Sequence, residues 1–529
     1  MVQTARSTRG MVVAPHHLAA QAGLSVLREG GNAIEAMVAA AATIAVVYPH
    51  MNALGGDNFW LIGAGGQPPV GIDACGAAAG LARPELYRAQ GHEAIPGRGP
   101  LAALTVAGAV SGWREALRLS LEWEGRLPLA RLFEDAIHYA RHGVPATRTQ
   151  AGNTRAKRGE LEAVPGFADV FLPEGDAPPV GALFRQPKLA GTLTRLAEAG
   201  LDDFYRGELA RLMASELEAA GAPIRLADLE AHEARRVAPL AVQLADARVF
   251  NMPPPTQGLA SLMILGIFER LDRPEPESFA YVHGLVEAAK RAFLVRDAHV
   301  TDPAHMTVDP NAFLTDAALT ERARHIDPKR ALPWPQPAAP GDTVWLGAVD
   351  GAGRAVSFIQ SVYWEFGSGL VLPRSGVLWQ NRGTSFALDA AHPNALAPGR
   401  KPFHTIQPAM ALFADGRVMP YGTMGGEGQP QTQSMLYTRY ALYGQGLQEA
   451  VSAPRWLLGR TWGADVTTLR LESRFPDALV TALGAAGHDV ELTGPIDEVM
   501  GHAGALVRHA DGTIEGASDP RSDGVAAGF

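Results

Sequence analysis

At 529 residues and 47% apolar side chains, the chain is long enough for a large buried core and, by length alone, for about two to four domains. A formal net charge of −9, with no Lys/Arg run and no basic stretch interleaved with aromatics, excludes the electrostatic footprint of a nucleic-acid binder. The single cysteine, Cys75, excludes an internal disulfide framework and fits a reducing compartment.

The first residues, Met-Val-Gln-Thr-Ala-Arg-Ser-Thr-Arg, lack the apolar core and cleavage site of a secretory signal, so a cytoplasmic location is expected. Residues 14 to 50 read as two helices joined by Gly30-Gly31-Asn32. The apolar run from Ala36 to Val47 is bounded by Glu35 and Pro49, well short of the roughly 20 residues of a membrane span, so no membrane partner is expected. Phe59 to Ile62 and Val70 to Ile72 read as buried strands, and residues 100 to 330 as a mostly helical wall broken by Gly-Pro turns and by Pro253-Pro254-Pro255-Thr256-Gln257-Gly258. Residues 332 to 341 are too rich in proline for a helix or a central strand, and are expected to form an exposed loop. From Thr343 to Val349 the chain turns apolar. Asp350-Gly351-Ala352-Gly353 then supplies turn residues before a second apolar run from Ala355 to Val362, which is a hairpin signal. Val418 to Gly422, Ala505 to Arg508 and Gly516 to Ser518 follow as further strands, and no internal repeat is visible.

The junction Gly341-Asp342-Thr343 carries the chemistry. A threonine that opens a buried strand directly after an exposed loop suits a residue that cuts its own chain and then serves as an N-terminal nucleophile. Taken alone, Thr343 is an ordinary strand threonine, so the remaining segments decide.

Those segments resemble the gamma-glutamyltransferase family of N-terminal nucleophile hydrolases, in the family's order and over nearly the whole chain. Gly30-Gly31-Asn32-Ala33-Ile34-Glu35-Ala36 is similar to its early helix motif and Leu54-Gly55-Gly56-Asp57-Asn58-Phe59 to the turn that follows. Pro253 to Gly258 is similar to its mid-chain loop, Gly425-Gly426 to its glycine pair, and Gly516-Ala517-Ser518-Asp519-Pro520-Arg521 to its C-terminal signature. The resemblance implies an α+β fold, a four-layer αββα sandwich built by one chain that cleaves itself between Asp342 and Thr343. Residues 1–342 would form a large fragment and 343–529 a small one, each the other's partner within one αββα unit, with a homo-oligomer also open. It further implies that Thr343 is the nucleophile, that its freed α-amine is the base, that Gly425 and Gly426 offer N–H groups to the oxyanion, and that Ser361 hydrogen-bonds the nucleophile. An α-amine titrates near pKa 7.7 to 8 and can move the proton without a histidine, so neither a metal nor a cofactor is expected. The sixteen histidines, His16-His17 and His404 among them, show no metal-ligand spacing and read as solvated or structural. Trp345 reads as a core residue and Asp519-Pro520-Arg521 as a structural clamp.

The chain departs from the family where a γ-glutamyl donor would be held. The family's Asp-x-Arg-Glu string is here Asp73-Ala74-Cys75-Gly76, so the arginine is a cysteine. In Gln380-Asn381-Arg382-Gly383-Thr384-Ser385-Phe386 the family's glutamine is Arg382 and its ammonium-binding aspartate is Ser385, while Tyr363 replaces an asparagine. Hydrogen bonds to charged groups are worth about 1.5 to 3 kcal/mol each, so a γ-glutamyl substrate would bind poorly. Arg382 supplies instead a planar cation suited to a carboxylate, with Tyr363 and Ser385 as further substrate contacts. The expected substrate is a small carboxylate-bearing amide, hydrolysed to acid and ammonia, which resembles the oxamate amidohydrolase branch of the family. A γ-glutamyl hydrolase or transferase, a glutaryl-type acylase, and a non-catalytic binding protein on the same fold remain the alternatives.

Overall fold

The computed structural model describes residues 3–334, 342–459 and 467–529; of Asp342 it describes the backbone only. The proline-rich segment expected to be an exposed loop therefore lies largely outside the described residues, since only 332–334 are included.

Two antiparallel sheets of seven strands each form the centre. The first runs, edge to edge, Ala5–Ser7, Ile514–Ser518, Ala503–Arg508, Val418–Thr423, Ala409–Phe413, Ala247–Asn251 and Leu240–Gln243. The second runs Val525–Gly528, Gly10–Ala14, Asp342–Asp350, Ala355–Tyr363, Asp57–Gly63, Val70–Ala74 and Arg235–Val237. The central strands alternate their side chains between two apolar layers, which is the period-two geometry of a sheet buried on both faces. Met11, Val13, Phe59, Leu61 and Trp345 pack with Phe250, Met410 and Leu506 between the sheets. Val12, Ala14, Trp60, Val344 and Phe358 instead face the helices His17–Arg28 and Ala33–Val47. On the far side, Val249, Ala409, Ala411 and Ala505 face the helices Gly258–Phe268 and Phe279–His299. Helix, sheet, sheet and helix follow one another: an α+β fold in four layers.

The expected elements form for the reasons read from the sequence. Gly30 takes φ +89° to end the first helix. Asn32 caps the second, its side chain accepting from the Ile34 and Glu35 N–H groups while Glu35 accepts from the Asn32 N–H at 2.9 Å. The hairpin of Asp342–Asp350 and Ala355–Tyr363 turns where expected, with Asp350 Oδ1 accepting from the N–H groups of Ala352 and Arg354. The helical wall needs correction: Val144–Pro145 pairs with Leu183–Phe184 in a small separate ribbon, and Arg235–Val237, Leu240–Gln243 and Ala247–Asn251 are strands that extend both sheets. Their Ala/Arg/Leu composition suits a helix, but Pro239 breaks one, and the buried positions Leu240 and Val242 alternate with less buried neighbours.

The C-terminal signature is a buried ion network, as the clamp reading expected. Asp519 pairs with Arg455 at 2.5 Å and with Arg521 at 3.1 Å, and Arg521 pairs with Glu472 at 2.6 Å. Burial alone would raise the Asp519 carboxyl, but Arg455 and Arg521 hold it down to about 2. Asp519→Ala takes the carboxylate partner from the buried Arg455, while Arg521 keeps Glu472, and should lower unfolding stability by about 3 to 5 kcal/mol, read by denaturant titration. The carboxylate's contribution is complete above about pH 4, its unfolded value, and is lost as pH falls towards about 2.

Candidate active site

Thr343 lies at the start of the central hairpin, next to a register shift between Asp342 and Val344. It is fully buried on the face that looks between the sheets, the face it shares with Trp345. Trp345 is core: it is buried, and its indole N–H donates to Ser357 Oγ at 3.0 Å. Thr343 Oγ1 donates to Ser361 Oγ at 3.3 Å across the hairpin, and Ser361 Oγ also accepts from the Tyr363 N–H at 2.8 Å. Two cross-strand hydroxyls thus meet as the count along the sequence implied. Tyr363 has φ +85°, a left-handed conformation rare for a bulky side chain. Strain of that kind concentrates at functional sites.

The glycine pair lies at the end of a strand of the other sheet. Gly425 and Gly426 follow the strand Val418–Thr423 with φ +120° and +51°, conformations that require glycine. Among the described residues neither N–H donates to another group. Just beyond them, Gln429 Nε2 donates to Thr343 Oγ1 at 3.5 Å. The mid-chain loop fixes this turn: Gln257 Nε2 donates to the Gly426 carbonyl at 2.8 Å and to the Thr405 carbonyl at 2.6 Å. Arg296 in turn donates to Gln257 Oε1 at 3.0 Å and pairs with Glu427 at 2.9 Å. The early glycine turn is fixed by close approach, since a Cβ on Gly56 would sit 2.1 Å from the Ser361 carbonyl oxygen. The mid-chain loop thus holds the glycine turn, while the early glycine turn packs on the strand that carries Ser361.

Arg382 lies against Tyr363. Its guanidinium lies 3.6 Å over the Tyr363 ring and donates through Nη1 to Thr405 Oγ1 at 3.2 Å. It is buried, yet Nε and Nη2, which form one edge of the fork, have no acceptor among the described residues. Burial lowers its pKa to about 10, which still leaves it charged at neutral pH. Ser385 ends the same short turn with its Oγ buried and unpaired among the described residues, and no described contact joins it to Thr343. Cys75 is buried as a free thiol, pushed well up by burial and by the neighbouring Asp73, whose charge Lys401 meets at 2.6 Å. Asp342 pairs with Tyr363 through the backbone ladder, and its side chain lies outside the described residues.

Two residues enter that sequence reasoning did not place here. His404 is not solvated: it is fully buried, with Nε2 3.3 Å from Asp57 Oδ2. Asp57 is also fully buried, and its Oδ1 accepts from the N–H groups of Gly76 and Gly108. Their meeting depends on packing between distant segments, which no spacing announces. One trio of metal-ligand type, His283, Glu287 and His488, lies apart from Thr343 among the described residues. Its donors already serve each other: His283 bonds His488 at 2.8 Å, and Glu287 pairs with Lys290 at 2.9 Å and Arg291 at 2.7 Å.

The family model described as gamma-glutamyltranspeptidase matches residues 19–529. The chain belongs to this family. It is 58% identical to the oxamate amidohydrolase proenzyme of Klebsiella pneumoniae over 524 residues, 99% of each chain. It is 41% identical to a glutathione hydrolase-like proenzyme of Bacillus subtilis, again over 99% of each. Among solved structures, the cephalosporin acylase of Bacillus halodurans superposes with a TM-score of 0.92 at 34% identity, covering 100% of this chain and 97% of that one. The family's enzymes act on amide C–N bonds, and this chain is an enzyme of that kind. No described helix is long and apolar enough to cross a membrane.

Proposed function

We propose that this family member is a self-cleaving threonine amidohydrolase that hydrolyses a small carboxylate-bearing amide of the oxamate type. The observation that carries the reading is the open edge of the buried Arg382 guanidinium, stacked on Tyr363 two residues along the strand from Ser361, the hydroxyl partner of Thr343. A carboxylate fits that edge with two parallel N–H···O bonds. Relatedness to an oxamate amidohydrolase proenzyme supports the same substrate class.

In the precursor, Thr343 Oγ1 attacks the Asp342 carbonyl carbon, the peptide nitrogen leaves as the new α-amine of Thr343 to give an ester, and water then splits that ester into the Asp342 carboxylate and the free Thr343 hydroxyl. In turnover that amine takes the hydroxyl proton while Oγ1 attacks the substrate's amide carbon. The N–H groups of Gly425 and Gly426 receive the oxyanion, each worth about 3 to 4 kcal/mol of barrier. Collapse returns the proton to the leaving nitrogen as ammonia, and water then hydrolyses the threonyl ester. Ser361 holds the Thr343 rotamer, Tyr363 and Ser385 shape the acid pocket, and no metal or cofactor takes part. The sole cysteine is consistent with work in the cytoplasm.

A panel of oxamate, malonamate, succinamate, glutamine and γ-glutamyl-p-nitroanilide, read by ammonia or nitroaniline release, tests the substrate class. One of the carboxylated amides should exceed glutamine and the γ-glutamyl anilide by at least about a hundredfold in kcat/KM, the scale of two charged hydrogen bonds. Faster release from the γ-glutamyl anilide would move the reading to a γ-glutamyl hydrolase.

A further inference from the structure

Beside Arg382 the protein buries a second set of polar atoms that the catalytic cycle leaves unused. Asp57 Oδ2 and both ring nitrogens of His404 have no hydrogen-bond partner among the described residues. The 3.3 Å between Asp57 Oδ2 and His404 Nε2 is an ion-pair distance without hydrogen-bond alignment. Asp57, His404 and Arg382 are each at most 1% exposed. A buried polar atom without a partner calls for an explanation.

Resting on the carboxylate anchor above, we propose that the substrate binds together with a proton: when a carboxylate docks on Arg382, one proton from solvent moves onto Asp57 Oδ2 and is held there by His404. The charge count requires it. In the empty site one guanidinium faces one buried carboxylate, and their charges cancel. A substrate carboxylate would leave two buried anions for one cation, and like charges in a shared buried site cannot both remain ionised at low cost. A proton on Asp57 restores neutrality, and a neutral His404 ring presents the acceptor for the new O–H.

The surroundings leave Asp57 as the group to respond. Burial keeps Cys75 a thiol and Tyr205 a phenol, and it is the main reason that His404 stays neutral, with Arg382 and Lys401 adding to the effect. Lys401 is committed to Asp73 at 2.6 Å. Asp57 itself is raised by burial to about 7, against the opposing hydrogen bonds from Gly108 and Gly76, the Arg382 charge and the Gln380 side-chain amide. The Thr343 α-amine of the mature enzyme also titrates in this range. Bound enzyme then holds more protons than free enzyme, so affinity is flat below about pH 7 and falls as pH rises above it.

The test is calorimetry on the mature two-fragment enzyme with pyruvate, which replaces the amide nitrogen of oxamate with a methyl group. Titrations at about pH 8, in phosphate and in Tris, give the protons taken up from the difference in buffer ionisation heat. Wild type should take up most of one proton more than Asp57→Asn, a variant whose Oδ1 still accepts from Gly76 and Gly108. Equal uptake in the two would assign the proton to the α-amine and overturn the proposal, as would heats that do not depend on buffer. If Asp57→Asn does not fold, infrared difference spectra of wild type decide. Pyruvate should bring up the carbonyl stretch of a protonated carboxylic acid, and its absence overturns the proposal. Absence of any saturable heat with pyruvate would instead remove the Arg382 anchor on which the proposal stands.

Discussion

A Thr343→Ala chain should run as one full-length polypeptide under denaturing mass spectrometry and release no ammonia from any amide. Wild type should separate into fragments 1–342 and 343–529. A methyl group cannot attack the Asp342 carbonyl, so neither the ester nor the α-amine forms, and one substitution removes the nucleophile and the base together. Loss of a covalent nucleophile lowers turnover by about 10⁴-fold or more. Here the loss should reach the background rate, because the uncut chain also keeps its 343 nitrogen locked in a peptide bond. The variant should still fold, since a Thr343→Ala exchange gives up the Oγ1 hydrogen bonds to Ser361 at 3.3 Å and from Gln429 at 3.5 Å but leaves the Val344 and Leu346 packing against the helices intact. Thr343→Ser keeps the hydroxyl and should cut, more slowly for want of the methyl that restricts the rotamer. A wild type that stays whole, or an alanine variant that is cut at the same bond, would dismiss Thr343 and favour a binding protein on this fold.

What the sequence discloses follows from how local each cause is. The hairpin is legible because its turn chemistry and its two apolar runs lie within a few residues of Thr343. The cap at Asn32 and Glu35 is legible for the same reason. The strands from Arg235 to Asn251 are not, because alanine, leucine and arginine give them helical composition and only their places beside Asp73 and Ala409 make them strands. The order of motifs singles out Gly425 and Gly426, but not the means of holding their turn, a Gln257 amide bridging the carbonyls of Gly426 and Thr405. Arg382 was visible as a replaced residue. Its free edge was not, since an unpaired guanidinium is a property of everything around it. Asp57 and His404 mark the limit: each belongs to a separate segment, and only the packing of strand against loop brings their side chains together.

Arg382→Ala should separate the two reactions of this enzyme. Self-cleavage needs the Thr343 hydroxyl and an oxyanion contact but no external carboxylate, so the variant should still divide at Asp342/Thr343. Hydrolysis of a carboxylated amide loses two charge-assisted hydrogen bonds at about 1.5 to 3 kcal/mol each, which places the fall in kcat/KM at about 10² to 10⁴-fold, carried mostly by KM. Arg382→Lys keeps a positive charge but offers it as a point and gives up the planar stack over Tyr363, so it should recover part of the affinity and little of the orientation. A matched pair of substrates sharpens the result: an amide whose carboxylate is replaced by a methyl ester should be turned over poorly by wild type and be indifferent to the substitution. The alternative role for Arg382 is a structural one, bracing Thr405 and thereby the Gln257 bridge to the glycine turn. In that case cleavage and turnover would slow together and both substrates would suffer alike, because the oxyanion site serves every acyl group that Thr343 attacks.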